Sequence, residues 1–586
     1  MQNQLPPHAM QNSPTSQTPT RRWHATPLAG AVAAAICLVS AAPKPAIAQP
    51  AYQEPILEVG IVQRFGTESS DKMTIEPMSG DRLTLRFETN GQTETVTTSG
   101  QVKIEVVQQP LPEPQVVERV VLSTHRSFES AEDSANQWRS RGIEVELAQP
   151  RQWQVWADRD TYDTPLLRRL LMQNLQSHGS RTAYIDTQEQ RQIPKAAFIV
   201  NGFRYHRDEV EIVSANRRYF VTLDEDRSTR RLYAGTLRLQ PNAYGTYTLV
   251  NPVPIETYLR GVVPHEIGLG APRTTIEAQA ILARTYALRN LRRFEIDNYE
   301  LCADTQCQVY RGLTGAAEVT DVAIAATSGK VLVYQDELVD ALYSSTTGGI
   351  TAPFSDVWNG PDRPYLRAVV DSIYNVWDLS RNSLSDERNF RAFISRTDGF
   401  NEQGWDVFRW RSQSNLDEIA ADLRTYLTSK QHPLANFSRV LSLEVSDRAP
   451  SGRVRKMTVE TDRGTIELEK DEILRALYAP NSTLFYIDPI YETVEPSPAA
   501  SQPAPSDSPT AVEAQAPIPT PAPTQVLKGY MFVGGGLGHG VGMSQTGAYN
   551  LGELGWTSDR ILSFYYPATQ LRVLDNTITY WREPQF

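Results

Sequence analysis

The chain has 586 residues, 40% of them hydrophobic and 21% charged, with a formal net charge of -11. That length leaves room for several domains and a sizeable core. The acidic balance repels phosphate backbones and anionic headgroups, which argues against nucleic acid and anionic lipid as partners and leaves sugars open.

Residues 1–48 read as an export signal. Arg21 and Arg22 form a basic start, residues 27–42 are apolar and small, and Ala46-Ile47-Ala48 is an A-x-A cleavage site before Gln49. The apolar run is too short and too alanine-rich to favour a membrane span. Cys37 follows Ile36 where a lipoprotein signal wants a small residue, and Trp23-His24 fits a twin-arginine signal poorly. The expectation is an exported protein of the periplasm or cell envelope, with no membrane span after cleavage. Loss of Arg21, Arg22 and Lys44 would move the charge from -11 by three, to -14.

Residues 51–115 alternate as strands do (Leu83-Thr84-Leu85-Arg86-Phe87), broken by Gly and Pro turns. Over 116–190 the texture changes: strands are predicted at 117–122, 143–147, 153–157 and 181–185, and helices at 130–141 and 165–177. Gly142 and Gly179 stand as stops after the two helices. This βαββαβ pattern resembles a SPOR module, a family that binds glycan strands stripped of stem peptides; a purely structural insert fits the pattern as well.

Residues 191–494 carry the longest patterned region. Ile276, Ala280, Ala283, Ala287 and Leu291 form the stripe of a packed helix over 275–294, and 401–445 reads as helix-rich. Residues 495–524 are Pro, Ala, Ser and Thr with few bulky side chains, so they read as a disordered excursion. Residues 525–586 hold a glycine-rich stretch, Gly534 to Gly547.

Two separated motifs bear the chemistry: Gly261-Val262-Val263-Pro264-His265-Glu266, and Gly538-His539-Gly540-Val541-Gly542-Met543-Ser544-Gln545. The first offers a lone carboxyl after a proline and two valines, an apolar surround that raises a carboxyl pKa. The second offers bare backbone that can approach a ligand or make tight turns. With Tyr258 to Leu288 (YLRGVVPHEIGLGAPRTTIEAQAILARTYAL), Ser344-Ser345-Thr346-Thr347-Gly348-Gly349, Gly452-Arg453-Val454 and the closing Ile561 to Pro567, these residues resemble the SpoIID/LytB family of cell-wall proteins.

That resemblance implies an α+β fold: an extended, mostly antiparallel catalytic domain with packed helices, interrupted by the βαββαβ insert. It implies Glu266 as the catalytic acid and base of a lytic transglycosylase acting on peptidoglycan glycan strands. It also implies a rival role, a wall-binding protein that enhances a cell-wall amidase. Candidate substrate contacts are Tyr286, Gln308, Tyr310, Ser344, Ser345, Thr347, Gly349, His539, Gly540, Gly542, Ser544 and Gln545.

Cys302 and Cys307 are the cysteines left after cleavage. A disulfide suits an oxidising compartment, and no cofactor is then needed. A zinc site sharing the two thiolates with a histidine such as His539 stays open, although many relatives carry His where this chain has Gln306.

Overall fold

The computed structural model describes residues 52–584 apart from 181, 431 and 495–523. The export signal at 1–48 and, save Thr524, the Pro/Ala/Ser-rich segment 495–524 lie outside the described residues.

Mixed α and β structure runs throughout, with ten α-helices and mostly antiparallel sheets among the described residues. Strand Ile56–Phe65 pairs antiparallel with Tyr247–Pro254, Leu57 opposite Val253. Both side chains are fully buried, as the alternation of the first strand requires. The seven-stranded sheet continues through Leu237–Pro241, Val210–Ser214, Leu83–Thr89 and Gln92–Thr98.

Helix Ile255–Glu266 follows Pro254 directly, and helix Arg273–Arg289 follows Pro272, each proline serving as the N-cap residue. Every residue from Ala278 to Arg289 is buried, so the second helix is enclosed on all sides rather than striped. Its Arg284, fully buried, is neutralised by Glu256 of the first helix at 2.6 Å.

The 116–190 segment grows out of the second sheet. Strand Val102–His125 spans 24 residues and pairs with Tyr184–Val200 from Lys103↔Ile199 to Val121↔Tyr184. Helix Phe128–Arg139, strands Val145–Ala148 and Trp153–Ala157, and helix Pro165–Ser177 complete a βαββαβ order. Its strands lie in the spatial order Tyr184–Val200, Val102–His125, Trp153–Ala157, Val145–Ala148, all antiparallel. Its outer strands pass through 116 and 190 without a break, so it is an extension of a long hairpin. The rest of the protein packs against it: Trp153 meets Phe294, and Trp156 meets Tyr244.

In the C-terminal part, the helix-rich expectation for 401–445 needs correction. The α-helix there is confined to Leu416–Ser429, started by a reciprocal Asn415/Glu418 capping box. Trp410–Asn415 and Val440–Arg448 are strands on either side. The sequence WRSQSN has no strand pattern of its own; it is ordered by pairing with Thr524–Gly534, more than 100 residues onward. Strand Thr524–Gly534 also pairs with Phe485–Val494, Val494 opposite Thr524, so the two strands flank residues 495–523 in one antiparallel pair.

Two short pairings position the site. Tyr343–Ser344 runs parallel to Met543–Ser544, and Thr346 bridges to Leu537. They seat the glycine-rich stretch beside the 342–349 segment.

Candidate active site

Glu266 is the last residue of its helix. Pro264, in the final turn, cannot donate a backbone hydrogen bond, and the helix ends two residues later. The partly buried carboxyl accepts the Val309 N–H at 2.7 Å. Burial pushes its pKa up to about 7, against the lowering effect of the Val309 N–H and the Tyr343 hydroxyl. The negative end of the helix dipole acts in the same sense as burial. Glu266 can therefore hold a proton near neutrality and surrender it, as general acid catalysis requires.

A groove of about 570 Å³ opens over Glu266. Its lining brings together Tyr286, Cys307, Ser344, Ser345 and His539, drawn from four separate stretches of sequence. The His539 ring lies 5.0 Å from that of Trp358, and its Nδ1 accepts the Val541 N–H at 2.9 Å, which places the ring proton on Nε2. Burial first, then the nearby Arg453 charge, lowers its pKa to about 4. The imidazole is neutral at pH 7, a hydrogen-bond donor rather than a charge.

The remaining predicted contacts lie outside the groove lining. Gln308 is buried, accepting from the Tyr258 hydroxyl at 3.1 Å and donating to that of Tyr343 at 3.0 Å. Tyr310 is buried, with its hydroxyl on Asn251. Thr347, Gly349 and Ser544 all donate to the buried Glu402 carboxylate. Gln545 reaches the site from behind, donating to the backbone carbonyl of Glu266. Gly540 and Gly542 have positive φ and no space for a side chain: a Cβ at Gly542 would lie 1.9 Å from the Leu342 carbonyl oxygen, and one at Gly540 2.1 Å from the Arg453 guanidinium. Bare backbone serves close packing here, behind the groove wall.

Cys302 and Cys307 are joined in a disulfide. The amide oxygen of Gln306 is taken by the Gln149 side chain, so the 302–307 loop is tied to the 116–190 segment. With both sulfurs consumed and Gln306 engaged, this loop does not fit a zinc ion. Among the described residues no group of three or more His, Cys, Asp or Glu side chains is arranged to hold a metal.

Residues 243–334, which hold Glu266, Tyr286 and the disulfide, match the family model described as Stage II sporulation protein. The amidase enhancer of Bacillus subtilis (strain 168) is 27% identical over 325 residues, 53% of this chain and 40% of that protein. Stage II sporulation protein D of the same strain is 29% identical over 179 residues, 27% of this chain and 50% of that protein. Residues 243–334 form a SpoIID-family domain.

Beyond this SpoIID-family domain, residues 352–501 match a domain of unknown function, DUF8618. An uncharacterized protein of Brachyspira hyodysenteriae (strain ATCC 49526 / WA1) is 23% identical over 341 residues, 57% of this chain and 70% of that protein. The alignments span less than two thirds of the amidase enhancer and of the sporulation protein. Sequence reasoning missed several groove residues: Tyr343, Trp358, and Arg126, Phe128 and Trp153 of the 116–190 region. Tyr343 was within reach, since it immediately precedes Ser344-Ser345. The others lie on elements whose approach to Glu266 no local pattern announces.

Proposed function

We propose that this chain is a lytic transglycosylase of the cell envelope, cleaving peptidoglycan glycan strands between N-acetylmuramic acid and N-acetylglucosamine. The observation that carries the reading is Glu266: a carboxyl in a groove, pushed up to about 7 by burial. Of the other groove carboxyls, Glu129 is ion-paired with Arg293, and Asp471 stands beside Arg126.

Glu266 protonates the glycosidic oxygen as its bond to the muramic acid C1 breaks. The resulting carboxylate takes the proton of the same sugar's C6 hydroxyl as that oxygen attacks C1, which closes a 1,6-anhydro ring and restores the acid. One carboxyl suffices because the nucleophile is part of the substrate, whereas hydrolysis of the same bond generally employs two. Neutral His539 and the Ser344 and Ser345 hydroxyls are suited to sugar hydroxyls and acetamides. The likeness of the 116–190 segment to a SPOR module favours strands already stripped of peptide, and the export signal read at residues 1–48 favours action outside the cytoplasmic membrane.

A second reading is favoured by the similarity to an amidase enhancer: a wall-binding protein that stimulates an amidase without cutting glycan. Incubating the purified chain alone with peptide-free strands separates the two. The lytic reading expects anhydro-ended fragments without any partner; fragments or peptide release only when an amidase is added would favour the enhancer.

A further inference from the structure

Two guanidiniums line the Glu266 groove and have no part in the chemistry above. Arg126 stands between strand Val102–His125 and helix Phe128–Arg139. Its Nη1 donates to the Asp471 backbone carbonyl at 2.6 Å, while its Nη2 is buried with no hydrogen-bond partner. Arg475, on the short Ile473–Ala476 helix, is exposed and makes no hydrogen bond or ion pair among the described residues. The two come from segments some 350 residues apart, and each lies within electrostatic range of the other.

Nearby carboxyls leave this corner positive. Glu129 is ion-paired with Arg293, and Glu472 with Lys430. Asp471 remains, one carboxyl against two guanidiniums, so the corner stays cationic whether or not Asp471 is ionised. In a chain of net charge -11, a cationic corner with unused donors beside a cleavage acid calls for an anionic ligand. A muramic acid that carries its stem peptide has its lactyl carboxyl locked in an amide. Once the peptide is removed, that carboxyl is an anion, and a guanidinium presents donors in the geometry that a carboxylate accepts.

We propose that Arg126 and Arg475 form a carboxylate subsite in the Glu266 groove, which binds the free lactyl carboxylate of a peptide-free muramic acid residue. The inference rests on the reading of the substrate as a glycan strand. It makes the hairpin extension that supplies Arg126 part of the substrate site, and charge the means of sensing the peptide state.

The test is a binding measurement on the full chain carrying Glu266→Gln, which removes turnover. Its probes are peptide-free glycan strands and the same strands with their lactyl carboxylates converted to methylamides. The subsite predicts that amidation weakens binding about 10- to 100-fold, the range of a hydrogen bond to a charged group. Arg475→Gln, at an exposed position that the fold does not use, should weaken binding of the free-carboxylate strand similarly and abolish the discrimination; Arg126→Gln should do the same. Equal affinity for the two strand forms, or discrimination that survives Arg475→Gln, overturns the subsite. Failure of the wild-type chain to cut glycan would instead overturn the lytic reading, and leaves this comparison of affinities intact.

Discussion

Gln545 donates its side-chain N–H to the backbone carbonyl of Glu266 at 2.9 Å, across 279 residues of sequence. The last carbonyls of a helix have no intrahelical donor, and this amide satisfies the one that belongs to the proposed acid itself. It fixes the residue whose carboxyl the lytic reading sets against the glycosidic oxygen. Gln545→Leu keeps the bulk and removes the donor. It should lower kcat about 10- to 100-fold through misalignment while KM changes little, since Gln545 does not line the groove. Steady-state kinetics on peptide-free strands checks this, and an unchanged kcat would sever the link between the two motifs.

The pH dependence follows from Glu266. Its pKa in the folded chain, about 7, lies above the ordinary 4.5, so folding favours the protonated form. Below pH 4.5 the residue costs nothing; between pH 4.5 and 7 the unfolded chain ionises it while the folded chain keeps it protonated, so the cost grows over that window and levels off at about 3 kcal/mol above pH 7. Glu266→Gln should therefore unfold at higher denaturant than wild type at pH 8, and the gap should close near pH 4. In the wild type, kcat/KM should fall as pH rises through about 7, as the acid loses its proton. A kcat/KM still rising beyond pH 8 would assign the acid elsewhere.

The Glu402 carboxylate organises the wall behind the groove, accepting the Thr347 and Gly349 N–H groups at 2.5 and 2.6 Å and the Ser544 hydroxyl at 2.5 Å. Asp371 lies beside it, and burial together with the Glu402 charge drives the Asp371 carboxyl well above the usual range, so the pair holds a proton. Glu402→Gln sets an amide N–H against donors. It should destabilise the protein by about 3 kcal/mol or more, as breaking a buried charged network does. Urea unfolding at pH 7 reads this; a loss under about 1 kcal/mol would place it among ordinary substitutions and refute the role.

The Cys302–Cys307 disulfide closes a short loop, so Cys302→Ser should cost about 2 kcal/mol and leave glycan cleavage measurable. Alkylation of the native, non-reduced exported protein should find neither thiol free. Stoichiometric zinc in the purified, non-reduced protein, with activity lost to a chelator and restored by metal, would contradict the disulfide.

What the sequence disclosed follows the range of the interactions involved. Trp153–Ala157 and Pro165–Ser177 appear where periodicity put them, because each carries its own apolar pattern and stop signal. Strand Val102–His125 exceeds its predicted six-residue piece because its polar middle is ordered by Tyr184–Val200. Glu266 was singled out through the family resemblance, and its apolar, proline-preceded setting agrees with the burial that raises its carboxyl pKa. Thr347, Gly349 and Ser544 were chosen as groove contacts, and instead they face Glu402, a lone acid in Asn401-Glu402-Gln403-Gly404 whose partners sit 53 to 142 residues away. Gly540 and Gly542 were also chosen as substrate contacts, and they lie outside the groove lining. What approaches Gly540 and Gly542 is Arg453 and the Leu342 carbonyl, which composition does not reveal.

Mass spectrometry of peptide-free glycan strands digested by the wild-type chain and by Glu266→Gln decides whether Glu266 drives lytic cleavage. The wild type should leave 1,6-anhydromuramic acid ends, and the variant should do so at a rate about 100- to 10,000-fold lower, the range for loss of a general acid and base. Reducing ends from the wild type, intact strands, or anhydro ends at an undiminished rate from Glu266→Gln would contradict it.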